Sequence, residues 1–420
     1  MKVKVKKIIT AIFIVIGIVG VYFLGFFTRE FTYTEVERAV LNILDKYQKY
    51  YYFANDDVVN DIAHAIFDDY STYYTKEEYD EVKLNASGKN LGIGIGVTPS
   101  NLEIVEVIKN SPCYKKGVTS GGTLYKISVN GVDKPFTTYN EFDVIISNVN
   151  ESSNILLTIL YGDEERVFEL KKAEYQKSYV TYIDSVGEYC YIENEGEISL
   201  EKCSDVKVLG EDIAYIKYDQ FSGKEQGLKG SAGQLRNALE KFKNDNKKKL
   251  IFDLRNNGGG YMDVLGDVAG TLVQPEGDKQ VISIAEYKNG KEQKFYLKNN
   301  TYLSYGFEKI IALANENTAS ASEVLIGAML DYDKNDVVSV VIDGHISNGQ
   351  RVFRTYGKGI MQTTYVNLDG SAVKLTTAKI CWPKSKIDIH DSGITTNVSN
   401  KVINADRYDA LVTALKMLEE

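Results

Sequence analysis

Between residues 213 and 342, short apolar runs alternate with stretches of helical spacing, and that order admits few folds. Ile213–Tyr218, Leu250–Leu254, Ile310–Ala314 and Val337–Ile342 read as strands. Ser231–Lys243, with a Ser231/Gln234 cap, then Tyr261–Leu272 and Ala321–Leu330 read as the helices among them. Parallel strands need a crossover, usually a helix. The alternation therefore predicts an α/β core around a largely parallel sheet.

Ahead of this core the pattern differs. Residues 88–173 read as mostly strand, with Leu102–Ile108 and Leu124–Val129 among them and a two-residue turn at Asn130-Gly131. Tyr139–Val149 has helical spacing, and Ile155–Leu160 and Arg166–Leu170 close the unit. Leu91-Gly92-Ile93-Gly94-Ile95-Gly96-Val97 alternates apolar residues with glycine. Such a run is either a ligand loop with its strand or a sheet bend that uses glycine. Thr34–Tyr50, with a Thr34/Glu37 capping box, and Asp57–Phe67 read as helices. A chain of 420 residues exceeds one ordinary core, so several domains are expected.

The N-terminus bears on location. Met1–Lys7 holds four lysines, and Ile8–Phe27 is uncharged throughout. About 20 apolar residues cross a bilayer core as a helix. No small-residue cleavage site follows, so the expectation is a single-pass signal anchor of bacterial type. The lysines stay inside and residues 28–420 lie outside the cell membrane. That compartment permits disulfides. Cys190 and Cys203 flank a short hairpin and are the expected pair; Cys113 reads as a packed thiol, and Cys381 has no evident partner.

Some chemistry is excluded. A net charge of −9 argues against a nucleic-acid partner. With 3 histidines and 4 cysteines there is little material for a His-based triad or a zinc site. No metal or organic cofactor is expected.

Three segments carry other chemistry. In Thr318-Ala319-Ser320-Ala321-Ser322-Glu323, Ser320 stands after a strand and at a helix start. It is either a plain cap, with Glu323 as its capping-box partner, or a nucleophile beside free amides able to hold an oxyanion. Ala321 would supply one such amide. In Asp253-Leu254-Arg255-Asn256-Asn257-Gly258-Gly259-Gly260, the glycines either form a tight turn or let a peptide carbonyl approach the backbone. In Thr355-Tyr356-Gly357-Lys358-Gly359-Ile360-Met361-Gln362, Lys358 is either solvated or a base. As a base its amine must be neutral, so desolvation must bring its pKa well down from about 10.4.

These segments, in this order behind the strand-rich unit, resemble the C-terminal processing (tail-specific) serine peptidases. Asp369-Gly370-Ser371-Ala372-Val373-Lys374-Leu375-Thr376-Thr377-Ala378 and Gly393-Ile394 are similar to further family motifs, and Asp69–Tyr79 resembles the stretch ahead of the family's PDZ domain. Gly258 stands where the family has proline, and Thr396 and Asn397 replace its late proline and aspartate. The resemblance implies a Ser–Lys dyad: Ser320 as nucleophile, Lys358 as base and Gln362 orienting the lysine. Gly258, Gly259 and Ala321 would hold the oxyanion. It implies that Leu91, Gly92, Ile93, Gly94 and Ile95 of a PDZ-like domain take the free C-termini of protein or peptide substrates. A crotonase-like α/β peptidase core and self-association into a homo-oligomer are implied as well. The stretch between Ser320 and Lys358 is longer than in the family, with the excess near Asp331–Asp336 and His345–Arg354, which read as loops able to cover the groove. A catalytically silent PDZ scaffold is the alternative, and an acyl-CoA-processing enzyme a distant one.

The expected organisation is an anchor over 1–29, a helical segment over 30–87, and the PDZ-like domain over 88–174. A linker with a hairpin (175–210), the peptidase core (211–402) and a C-terminal helix (403–420) follow.

Overall fold

The computed structural model describes residues 34–50, 58–208, 210–223, 227–406 and 409–419. The expected membrane span at 8–27 lies outside them; among the described residues no helix is long and apolar enough to cross a membrane. The chain divides into two compact units, 1–67 and 68–420. The first contains the helices Glu35–Tyr50 and Val58–Ile66. Thr34 and Glu37 bond reciprocally at the start of the former, as the capping box requires. The boundary after Phe67 corrects the expected segment 30–87, because the helix Lys76–Ala86 belongs to the second unit.

The second unit is built on a mixed sheet of eight strands. Its order is Glu197–Ser204, Glu188–Asn194, Val180–Ile183, Ile213–Tyr218, Lys249–Asp253, Lys309–Ala314, Val338–Ile342, Val402–Asn404. From Ile213–Tyr218 onward every pairing is parallel, as the strand–helix alternation predicts. Both faces are buried. Leu250, Phe252, Ile310 and Ala312 pack with the helices Ser231–Asn244, Met262–Leu272 and Ala321–Tyr332. Ile251, Ile311, Leu313 and Val341 face Ala410, Ala414 and Leu418 of the C-terminal helix.

The first three strands correct the linker reading of 175–210. They extend the main sheet in antiparallel sense, with Val180–Ile183 paired to Ile213–Tyr218. Cys190 and Cys203 form a disulfide across the resulting hairpin, with Cα atoms 5.9 Å apart. Closing so short a loop is worth about 3 kcal/mol. A Cys190→Ser, Cys203→Ser protein should accordingly show a lower denaturation midpoint; an unchanged midpoint would mean that the bridge adds nothing.

A second sheet pairs Ala372–Cys381 with Thr72–Tyr74, Val281–Tyr287 and Ile360–Val366, and Val281–Tyr287 with Glu292–Tyr296. Residues 89–176 form the strand-rich unit, with its own core around Ile104, Ile127, Phe142, Ile155 and Leu157. Asn130 and Gly131 both take positive φ, as the predicted two-residue hairpin turn demands. Cys113 is buried there, and burial pushes its thiol up to about 12, so it is a packed and inert group.

Candidate functional site

Ser320 caps the Ala321–Tyr332 helix with φ 58° and ψ −118°, a backbone conformation unusual for a side-chain-bearing residue. Such a conformation costs on the order of 1–3 kcal/mol and needs support from its surroundings. Asn257, fully buried in the glycine-rich turn, gives much of it. Its carbonyl accepts from Ala319 N–H at 3.0 Å and Ser322 Oγ at 3.0 Å, and its side-chain amide donates to Tyr218 O at 2.7 Å. Thr318 Oγ1 donates to Leu254 O at 2.8 Å. Ser322 is thus a buried fastening, and Ser320 is the serine at the cavity.

Glu323 does more than a capping box asks. Its Oε2 accepts from Ser320 N–H and from Lys358 N–H, each at 2.9 Å. Its Oε1 accepts from Thr355 Oγ1 at 2.5 Å and Gly357 N–H at 2.8 Å. One fully buried carboxylate therefore joins the backbone of the serine to that of the lysine. Burial pushes its carboxyl above the ordinary range, and the four donors oppose that. The lysine segment is held on its other side too. Asp391 N–H donates to Gly357 O at 2.9 Å, and Tyr356 N–H to Thr318 O at 3.0 Å. A Cβ on Gly359 would lie 2.7 Å from His390 N, which accounts for a glycine there.

Ser320 and Lys358 line one cavity of about 480 Å³, with Gly260, Tyr261, Asp263, Gln362 and Lys374 also in its wall. Burial, and after it the like charge of Lys374, pull the Lys358 amine below its ordinary value, with Asp68 and Glu323 opposing. Its Nζ sits 4.8 Å from the centre of the Tyr70 ring.

Gln362 reaches the cavity but is not one helical turn from Lys358. It lies in the strand Ile360–Val366, just after a bulge at Met361/Gln362, and its Nε2 donates to Thr376 Oγ1 at 3.2 Å. The bulge changes which face the side chain takes.

The oxyanion residues need one correction. Gly259 N–H donates to Asn257 Oδ1 at 2.9 Å, so it is already occupied. Gly259 instead brings the turn against the serine: with φ +95°, a Cβ there would lie 2.8 Å from Ser320 Cβ and from Ala321 N. Gly258 is absent from the cavity wall, whereas Gly260 is part of it. Ala321 stands at the first position of the helix, where an N–H has no intrahelical acceptor.

Of the stretch between serine and lysine, Val324 alone is in the wall of this cavity, and neither added segment reaches it. The expected loop at Asp331–Asp336 is partly helix, which runs to Tyr332. His345–Ser347 and Gln350–Val352 form a hairpin beside a separate space of about 580 Å³ that Tyr356 and Gly357 also line.

A further groove of about 320 Å³ is lined by Leu91, Gly92, Ile93, Gly94 and Ile95, with Tyr139, Phe142 and Ile146 of the helix Tyr139–Ser147 opposite. The strand Ile95–Val97 pairs only with Ile104–Val107 among the described strands, so its other edge is open. Gly94 has φ +76°, and a Cβ would meet Ser111 Cβ at 2.1 Å, so glycine is needed there for the backbone itself. The helix Lys76–Ala86 sends Glu81, Leu84 and Asn85 to this groove and Val82 to the cavity of Ser320.

Sequence reasoning missed Tyr70 and Asn257, and took Glu323 for a cap alone. The S-x-x-E signal is the same for a cap and for this four-donor hub.

Comparison with known proteins agrees with the geometry. Residues 212–399 match the model of peptidase family S41. A probable CtpA-like serine protease of Staphylococcus aureus is 26% identical over 392 residues, covering 90% of this chain and 67% of that protein. Its counterpart in Staphylococcus haemolyticus is 27% identical over 345 residues, covering 81% and 58%. The chain thus spans roughly three-fifths to two-thirds of the length of these relatives. The solved structure of a putative S41 protease from Bacteroides fragilis superposes with a TM-score of 0.51 at 16% identity, covering 88% of this chain and 91% of that one. At that identity the likeness speaks for the fold alone.

Proposed function

We propose that this chain, whose residues 212–399 match peptidase family S41, is a serine endopeptidase working through Ser320 and Lys358. Neutral Lys358 takes the proton as Ser320 Oγ attacks a peptide carbonyl. The N–H groups of Ala321 and Gly260 hold the oxyanion, the leaving amine departs protonated, and water then hydrolyses the acyl-enzyme. The observation that carries this reading is the cavity shared by Ser320 and Lys358, with Glu323 bonded to the backbone of both.

The test is digestion of an unfolded protein by the full chain. Ser320→Ala should abolish it. Ser322→Ala should leave much of it, because the Asn257 carbonyl keeps its bond from Ala319 N–H. Equal loss in both variants, with both folded, would overturn the choice of serine.

The strand-rich unit is read as a PDZ domain that receives substrate C-termini. Its groove and open strand edge suit an added peptide strand. In the full-length Ser320→Ala protein, a peptide with a free apolar C-terminus should bind about 1–3 kcal/mol more tightly than its amide. Fluorescence anisotropy measures both, and equal affinities would remove tail reading from the proposal. The apolar run at 8–27 supports a membrane anchor with the site outside the cell.

A further inference from the structure

Lys358 Nζ lies 4.8 Å from the centre of the Tyr70 ring, and no carboxylate of the described residues pairs with it within salt-bridge distance. An ammonium over an aromatic face is attracted by the ring's quadrupole. The ring is fixed in place. Tyr70 OH donates to Tyr356 OH at 3.3 Å, two residues before the lysine, and Thr376 N–H donates to Ser71 Oγ at 2.9 Å beside it. The hydrogen bond to Tyr356, and burial with it, push the Tyr70 phenol up to about 12, so it stays neutral in the range where the base must work.

We infer that Tyr70 is a positioning residue for the base: its ring face holds the Lys358 ammonium and sets the pH at which the amine is released to act. The inference rests on the Ser–Lys reading above. Other charges reach the same amine from every side. Lys374 of the strand Ala372–Cys381 repels it, Asp68 and Glu323 attract it, and Asp263 lines the same cavity. Asp391 acts on Tyr70. A second amine is placed alike: Lys374 Nζ lies 5.7 Å from the centre of the Tyr74 ring. The segment 70–74 thus presents two aromatic faces to the two lysines of one cavity.

A ring at this position has two opposed effects. It excludes water, which favours the neutral amine, and it offers a π face, which favours the ammonium. Substitution separates them. The readout is the rate of Ser320 labelling by a fluorophosphonate, and of cleavage of an unfolded protein, by the full chain from about pH 6 to about pH 10. Tyr70→Phe keeps the face and should keep the rising limb where it is. Tyr70→Leu keeps a dry wall without the face and should move the limb down by roughly half to one pH unit. Tyr70→Trp, with the stronger face, should move it up. A limb that stays or rises in Tyr70→Leu overturns the inference. If that variant does not fold, an unmoved limb in Tyr70→Trp does so instead. Failure of the dyad itself would look different, as retained activity in Lys358→Ala.

Discussion

Lys358→Ala is expected to lower proteolysis by about 10²–10⁴-fold, the range a general base contributes, with the fold intact. The loss should come with a changed pH profile. In the parent protein burial, and then Lys374, hold the Lys358 amine below its ordinary value, so the neutral fraction grows as pH climbs through that lowered value. Activity should rise over the same interval. Lys374→Met removes the like charge and should displace the rise to higher pH. Stability carries the same signature with its own sign. A lysine whose folded pKa is depressed costs stability fully below that pKa, and the cost fades as pH approaches its unfolded value near 10.4. Lys358→Met should therefore raise the denaturation midpoint at neutral pH, by an amount that shrinks in alkali. Full activity in Lys358→Ala, or kcat/KM that is flat with pH while chemistry limits the rate, would contradict the assignment.

Glu323→Gln should be nearly as damaging although it removes no reacting atom. Each carboxylate oxygen accepts from two donors. An amide turned either way sets its NH₂ against at least one backbone N–H, of Ser320 and Lys358 on one side or of Gly357 on the other. Thr355 Oγ1, which accepts from Ile394 N–H at 2.7 Å, has a second lone pair for such an NH₂, but Gly357 N–H would still face a donor. A buried donor left without an acceptor costs about 1–3 kcal/mol. A displacement of about 1 Å between reacting groups can cost about 10²-fold in rate. The expected outcome is a denaturation midpoint several degrees lower and kcat down by at least about 10²-fold, with substrate affinity much less changed. Near-normal kcat in a folded Glu323→Gln protein would show that serine and lysine keep their relation without it.

The parts legible in the sequence are those with local or periodic signals. The parallel core followed from strands such as Leu250–Leu254 alternating with helices. The disulfide followed from two cysteines flanking a hairpin, and the Ser320 and Lys358 segments from their resemblance to a family. What stayed hidden depends on contacts between distant residues. The strands at 180–204 looked like a linker because joining a sheet edge leaves little trace in the joining strand. Tyr70 lies among Tyr73, Tyr74 and Tyr79, and nothing in that run singles out the ring that meets a lysine 288 positions later. Gln362 could be placed only once a bulge was known, since a single extra residue reverses the facing of a strand.

The helix Lys76–Ala86 has one flank on the groove at Leu91–Ile95 and another on the cavity of Ser320. It is a party wall between two rooms. Whatever occupant leans on one side and moves the wall changes the floor area of the other. Thermodynamic reciprocity then fixes the size of the response: the factor by which any ligand of the groove alters affinity in the serine cavity equals the factor by which a cavity ligand alters affinity in the groove. Leu84 and Val82 stand two positions apart on opposite sides of that wall, so paired substitutions there would measure how stiff it is.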